Sequence, residues 1–299
     1  MPVHAISTAY TRRDRALPYL LLMPAISISL LVLIYPLVNG VLLAFTDYSL
    51  VRQETNFVGL QNFRALFTSS RFWLIFGNSL GIAFVSVGLQ IVAGMTLALL
   101  LNQHIPFREG FRALVFVIWV LPMIVVSLLW LVSFNSDFGI VNALLRRLGI
   151  IDENISWFAS PMGARATIVL AFAWRGTPFF MVMILAGLQT IPTSLTEAGM
   201  IDGASAPQRF WRITLPNIMD IVILAALLST VRIFQNITFI YTLTGGGPLN
   251  ATTTLAIDVY RKAFVSFRMG DAAAVGVTWL FFLALIASVY LRRVTRNGL

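Results

Sequence analysis

The chain has no cysteine, one lysine and two histidines in 299 residues. Without cysteine there is no disulfide framework and no thiolate chemistry. The histidines, His4 and His104, stand far apart and outside any HExxH pattern, which argues against a zinc or metalloprotease site. The single lysine, Lys262, sits in "RKA", so the G-K-[ST] of a phosphate loop is missing and P-loop ATP hydrolysis is excluded. A Ser-His-Asp triad would have to use His104, which lies in a short connection with no nucleophile elbow and reads as a solvated loop residue. Charge is scarce too. Charged residues make up 11% of the chain, against about 25% in a typical soluble domain.

What fills the chain is apolar. Hydrophobic residues are 58% and the mean hydropathy is +0.85, with runs of the roughly 20 residues that a membrane helix needs. The net charge of +9 comes almost wholly from arginine and suits anionic lipid; no basic-aromatic patch points to nucleic acid. Six spans are predicted, at about 17–45, 72–101, 111–134, 165–190, 218–243 and 273–292. The alternation of a barrel strand is absent, so the expected fold is all-α and integral to the membrane. The first apolar run is too long for a signal peptide and reads as an uncleaved span. Pro24, Pro36, Pro122 and Pro178 fall inside spans, where neighbouring helices satisfy the freed backbone groups. Gly77 and Gly81 form a GxxxG, read as close helix packing.

Lys and Arg divide almost evenly between the two sides, so the positive-inside rule decides little. The basic flanks Arg12–Arg15 and Arg292–Arg296 agree with an even number of spans and both termini in the cytoplasm. Residues 1–16 then form a cytoplasmic segment, 17–292 the membrane domain with an inner loop at 191–217, and 293–299 a cytoplasmic tail.

That inner loop carries "EAGMIDGASAPQRFWRITLP", Glu197 to Pro216, one of the most polar stretches of the chain. Ser194 with Glu197, and Ser205 with Gln208, have capping-box spacing. Gly203 suits a left-handed helix stop, and Pro216 introduces the next span. Helix, glycine turn and short helix are therefore expected. Phe210, Trp211 and Ile213 give the second part an apolar side, and Arg209 and Arg212 give it charge. Such an element fits a groove on a partner protein or lies on lipid, and the residues alone allow both.

The spacing E-A-x-x-x-x-G, nine residues, I-x-L-P resembles the EAA loop of binding-protein-dependent ABC importer permeases, matched by Glu197, Ala198, Gly203, Ile213, Leu215 and Pro216. "FVGLQNF", "AGLQTIP" and "YTLTGGGP" are similar to the carbohydrate branch, so the likeness covers about residues 17–292. Gly199 departs from the pattern, where a second alanine is usual, and adds flexibility to the first helix. The resemblance implies a cytoplasmic coupling helix between spans four and five, seated in a cleft of an ATPase, with Asp202, Ala204, Arg209 and Phe210 as further contacts. It also implies a second permease subunit, two ATPase subunits that carry ATP and Mg, an extracytoplasmic binding protein and a bacterial inner-membrane location. This chain itself is expected to hold no cofactor and to catalyse nothing.

Two arginines, Arg175 and Arg232, fall within predicted spans at similar depth. A cation there costs about 2.5–3.5 kcal/mol on insertion scales, and the spans offer no acid at that depth, Asp220 lying near the inner end of span five. Either they face a solute pathway or a partner, or they snorkel or bind backbone carbonyls at helix breaks such as Pro178. Gln235, Asn236, Thr238 and Tyr241 follow, placed on two helical faces, and suit sugar hydroxyls or interhelical hydrogen bonds equally. The expected function is import of a sugar or sugar-like solute, neutral or anionic. The competing reading is a secondary transporter or channel without an ATPase, which would need coupling acids, a filter or an inverted repeat inside the spans, and none is visible.

Overall fold

The computed structural model describes residues 12–52, 55–103 and 105–296; His4, His104 and the extreme termini lie outside them. Every described element is helical, apart from two isolated bridges that tie Thr46 to Phe57 and Ser49 to Arg268. The first span is α1 (Arg12–Ser29), a five-residue π turn and α2 (Tyr35–Leu43). Then follow α3 (Gln61–Thr68), α4 (Ser70–Leu101), α5 (Arg108–Val120), α6 (Met123–Ser133), α7 (Ile140–Arg147), α8 (Pro161–Gln189), α9 (Thr193–Ile201), α10 (Ala206–Arg209), α11 (Leu215–Phe234), α12 (Thr238–Thr244), α13 (Leu255–Tyr260) and α14 (Met269–Arg296).

Five helical segments are long and apolar enough to cross a membrane unbroken. The predicted third span, 111–134, is not one straight helix: α5 and α6 meet at 94°, as a broken span, which makes six, or as a re-entrant loop. Pro122 causes the break, since it lacks an N–H and forces Leu121 into an extended conformation (ψ 136°). Span five is corrected. One helix runs from Ala206 through a π turn to Phe234 and stops there, so residues 235–243 do not continue it. Pro216 sits inside this stem rather than opening a span. The π turn Phe210–Thr214 lies just before it, as Leu30–Ile34 lies just before Pro36. Widening the helix there moves the carbonyl that the proline ring would strike.

The core is the packing of α4 on α8, with α11 laid against both. Its buried members include Ile82, Val87, Ile168, Phe172, Phe180, Ile184, Ile218 and Phe239. Close approach is set by small residues. A Cβ on Gly94 would stand 2.4 Å from the Phe180 Cβ, and one on Gly187 would stand 2.7 Å from Ile221 Cδ1. Gly77 and Gly81, by contrast, are exposed with nothing near them, so the expected packing of the GxxxG does not occur within this chain. Inside the core Gln90 is fully buried. Its Nε2 donates to Phe172 O at 2.8 Å, and Ser229 Oγ donates to its Oε1 at 2.5 Å, joining the three helices.

At the end of the bundle reached before α8, the "TGGGP" loop is clasped. Asn78 Nδ2 donates to the carbonyls of Asn250 and Thr253, Arg165 donates to Ala251 O and Asn78 Oδ1, and Arg261 reaches Gly245 O. Gly246 has φ +93°, and a side chain there would meet Thr253 Oγ1 at 2.6 Å. The clasp holds α12 against α6 and α13 against α14.

Gly94→Val is expected to lower the thermal stability of the purified protein by an amount equivalent to about 1–3 kcal/mol, the usual penalty for overpacking, whereas Gly81→Ala leaves the melting temperature unchanged. Equal melting temperatures for both variants would show that the α4–α8 contact is not tight.

Candidate solute cavity and coupling loop

Where α11 stops, a cavity of about 330 Å³ opens between α4, α5, α8 and α11, near the lower end of the roughly 300–1,000 Å³ common for ligand pockets. Arg175, Arg232, Gln235 and Asn236 all line it, together with Gln90, Trp119, Phe179 and Ser229. Thr238 and Tyr241 do not. They lie on α12 beyond the break, where Tyr241 packs edge-on against Tyr260 at 5.6 Å. The break also removes the helical faces expected to align residues 232 to 241. Asn236 instead caps α12, its Oδ1 accepting the Phe239 N–H at 2.9 Å.

The two arginines find partners that sequence spacing does not reveal. Among the described residues neither pairs with an acid. Arg175 donates to Trp119 O (3.4 Å) and Leu121 O (3.3 Å), the carbonyls at the end of α5, so backbone carbonyls at a helix break do receive it, but at Pro122 rather than Pro178. Its Nε is buried without a partner. Arg232 stands in the last turn of α11, with its guanidinium 4.9 Å from the Phe179 ring and 5.7 Å from Trp119. Those rings stack at 6.3 Å and 14°. Each cation thus meets the negative end of a helix. A helix C-terminus contributes about 0.3–1 kcal/mol, up to about 2 in partly buried geometry, and cation–π contact about 0.5–2. Together these are comparable with the insertion cost of such a charge, about 2.5–3.5 kcal/mol. The signal available in sequence was Pro122 and the polar run at 235–236, which mark helix ends; Trp119, Phe179, Gln90 and Ser229 carried none.

A larger cleft of about 410 Å³ lies between α2 and α14, and only Gln235 borders both cavities. Its lining is otherwise apolar apart from the Trp279 indole, which gives a hydroxylated or charged solute little to bind.

At the opposite end of α11 the polar loop folds as helix, turn and helix. The N-cap position of α9 is Pro192, which makes no capping bond, and Ser194 is already the second residue of the helix, so the first expected capping box does not form. The second does: Ser205 and Gln208 satisfy each other's backbone groups. Gly203 has φ +74° and ends the helix as expected. Gly199 is a close-approach position rather than a flexible one, since a Cβ would meet Ile213 Cδ1 at 2.8 Å. Arg209 Nη1 donates to Ala204 O at 2.7 Å, tying the turn to the stem. Ala204, Arg209, Phe210, Ile213 and Leu215 are therefore half-buried members of the joint, while Glu197, Ala198, Asp202, Gly203 and Pro216 are exposed. Sequence reading missed Met200 and Ile201, which stand at the tip; Ile201 is 86% exposed, at a polar end of the molecule.

Helices that enclose a polar cavity at one end of a broken stem and bear an exposed, tightly jointed turn at the other define a membrane transport subunit. The chain belongs to the family of binding-protein-dependent transport system inner membrane components, whose pattern matches residues 90–296. It is a multi-pass permease subunit of an ABC importer, and ATP hydrolysis resides on separate subunits, which displaces the reading of a transporter or channel without an ATPase. It is 36% identical over 280 residues to the sulfoquinovosyl glycerol transport system permease protein SmoG of Agrobacterium fabrum, covering 93% of this chain and 90% of that one. It is 33% identical over 283 residues to the trehalose/maltose transport system permease protein MalF of Thermococcus litoralis, covering 94% of each. The crystal structure of a bacterial ABC transporter that imports the acidic polysaccharide alginate shares the fold, with a TM-score of 0.80 at 23% identity over 96% of this chain and 98% of that one. Among the described residues no cluster of three or more His, Asp or Glu forms a metal site.

Arg175→Met leaves the Trp119 and Leu121 carbonyls without donors. Amide exchange over Met123–Ser127 is expected to accelerate; exchange indistinguishable from the wild type would mean that Arg175 does not hold the break.

Proposed function

We propose that the chain is the permease subunit through which a sugar-like solute with an anionic group crosses the membrane, and that the cavity at the end of α11 receives that group. One observation carries the reading: two guanidinia, Arg175 and Arg232, line a single polar cavity and neither has an acidic partner among the described residues. Gln235 and the Asn236 amide suit hydroxyls, and the stacked Trp119 and Phe179 offer a face for a sugar ring. Thr238 and Tyr241 are kept as residues further along the path. The similarity to a permease named for sulfoquinovosyl glycerol supports an anionic solute, whereas the similarity to one named for trehalose and maltose does not, so the choice rests on the cavity.

The knuckle formed by α9 and α10 docks in a cleft of a cytoplasmic ATPase. Glu197, Ala198, Asp202 and Gly203 lie on its exposed side, and Met200 and Ile201 supply an apolar anchor. The Ala206–Phe234 stem joins that knuckle to Arg232, so rigid-body movement of an ATPase pair bound to ATP and Mg would reach the cavity directly. A second permease subunit completes the pathway, an extracytoplasmic binding protein delivers the solute, and both termini lie in the cytoplasm of a bacterial inner-membrane complex. Residues 1–16, 17–292 and 293–299 are its inner segment, membrane domain and tail.

With the cognate binding protein and ATPase present, Arg175→Gln or Arg232→Gln is expected to lower uptake of an anionic sugar roughly ten- to hundredfold, the worth of a hydrogen bond to a charged group, and to spare basal ATP hydrolysis. Unchanged rate and solute preference in both variants would remove the assignment. Ile201→Asp is expected to abolish the stimulation of ATPase activity by loaded binding protein, and a reagent on Ala206→Cys to crosslink to the ATPase from the cytoplasmic side; labelling of Ala206→Cys from outside alone would reverse the orientation.

A further inference from the structure

At the end of the bundle away from the knuckle, the connection between α6 and α8 folds into the short helix α7. One face of it is locked to the protein. Asn142 is buried, donates to Ser136 O (3.3 Å) and Ile155 O (3.0 Å), and accepts from the Ile155 N–H and from Trp157 Nε1 (2.9 Å). With the rotation of α7 fixed by these bonds, the flank turned away from the protein is apolar. Ile140, Leu144 and Leu148 recur every four residues, within about 80° of arc at 3.6 residues per turn, and all three are exposed. Phe138 before the helix and Ile150 after it extend the same exposed apolar ridge. Arg146 and Arg147 occupy the last turn, Arg147 at the edge of that flank, about 20° from Ile140, and Arg146 on the side away from it.

A ridge of this size, held rigid and uncovered, needs an occupant. Its position supplies one. Trp157, which donates to Asn142, packs edge-on against Phe134 at 5.3 Å; Phe134 stacks on Trp130 at 4.9 Å, and Trp130 lies 6.1 Å from Trp174 on α8. Trp130, near the end of α6, and Trp157, just before α8, mark the headgroup level of a bilayer, while Trp174 carries the ladder on to the middle of α8. On α6, which precedes α7 in the chain, Leu128, Leu129 and Val132 are exposed as well. We infer that α7 is an interfacial anchor: Ile140, Leu144 and Leu148 enter the acyl boundary of the leaflet on that side, and Arg146 and Arg147 meet anionic lipid headgroups. The anchor would fix the outer end of the broken α5–α6 pair in the membrane plane while the stem moves.

Because the chain lacks cysteine, the test is direct. Nitroxides on Leu144→Cys, Leu148→Cys and the exposed loop residue Asp152→Cys are placed in the full importer complex, in nanodiscs with or without phosphatidylglycerol. Collision rates with oxygen and with a water-soluble nickel chelate are then compared. Leu144 and Leu148 are expected to favour oxygen and Asp152 the chelate, with a further shift toward oxygen in phosphatidylglycerol that Arg146→Gln with Arg147→Gln abolishes. Labels at Leu144 and Leu148 as accessible to the chelate as Asp152 overturn the anchor. Shielding from both reagents in detergent as in lipid also overturns it, since a protein subunit then covers the ridge. Equal values with and without phosphatidylglycerol overturn the anionic headgroup contact.

Discussion

The structure is organised around one electrostatic constraint: two guanidinium groups, Arg175 half-buried and Arg232 exposed, that line one cavity with no carboxylate paired to them among the described residues. Each stands at the negative end of a helix that stops early. Pro122 ends α5 below Arg175, and the turn at Gln235 ends α11 just after Arg232. Carbonyl dipoles and aromatic faces neutralise a cation only partly. They hold the arginines in place without a full counter-charge, and the buried Nε of Arg175 has no hydrogen-bond partner. A carboxylate would have satisfied the guanidinium and closed the site. Helix ends do the opposite, holding positive charge open toward the cavity.

The rest of the fold serves that arrangement. The α4–α8 contact, drawn tight at Gly94, makes a fixed wall, and Gln90 stitches it to α11 through Phe172 and Ser229. Against that wall α11 is one end of a single stem of 29 residues whose other end carries the exposed turn. Ile213 packs on Gly199, and Arg209 bonds Ala204 O, joining turn to stem. That exposed turn and Arg232 are therefore joined by one continuous helix rather than by a chain of side-chain contacts. The π turn before Pro216 is the place where that helix is wound differently.

Much of this was legible in the residues. Composition and apolar run length pointed to a multi-span helical membrane protein, and the E-A-x-x-x-x-G spacing pointed to the permease family. Gly203 and the Ser205–Gln208 pair behaved as their local chemistry dictates, because caps and left-handed turns depend on neighbours within four residues. Failures came where an apolar run hid a break. The stretches 111–134 and 218–243 read as continuous because hydropathy does not register ψ at Leu121 or the stop at Phe234. The cap position falls at Pro192, two residues before Ser194. Gly77 and Gly81 looked like packing glycines, but which face of α4 meets α8 is a tertiary property. The cavity was half legible: its charged and amide members stand out in an apolar sequence, whereas Trp119, Phe179 and Gln90 look like any other core residues until the helices are placed.

The most direct measurement is a structure of the assembled importer, with ATPase subunits and binding protein, trapped with an anionic sugar in transit. The account predicts the anionic group between Arg175 and Arg232 at the end of α11, with both side chains still against the helix termini. An acidic residue of the second permease subunit ion-paired to either arginine, or a solute that bypasses this cavity, would contradict it.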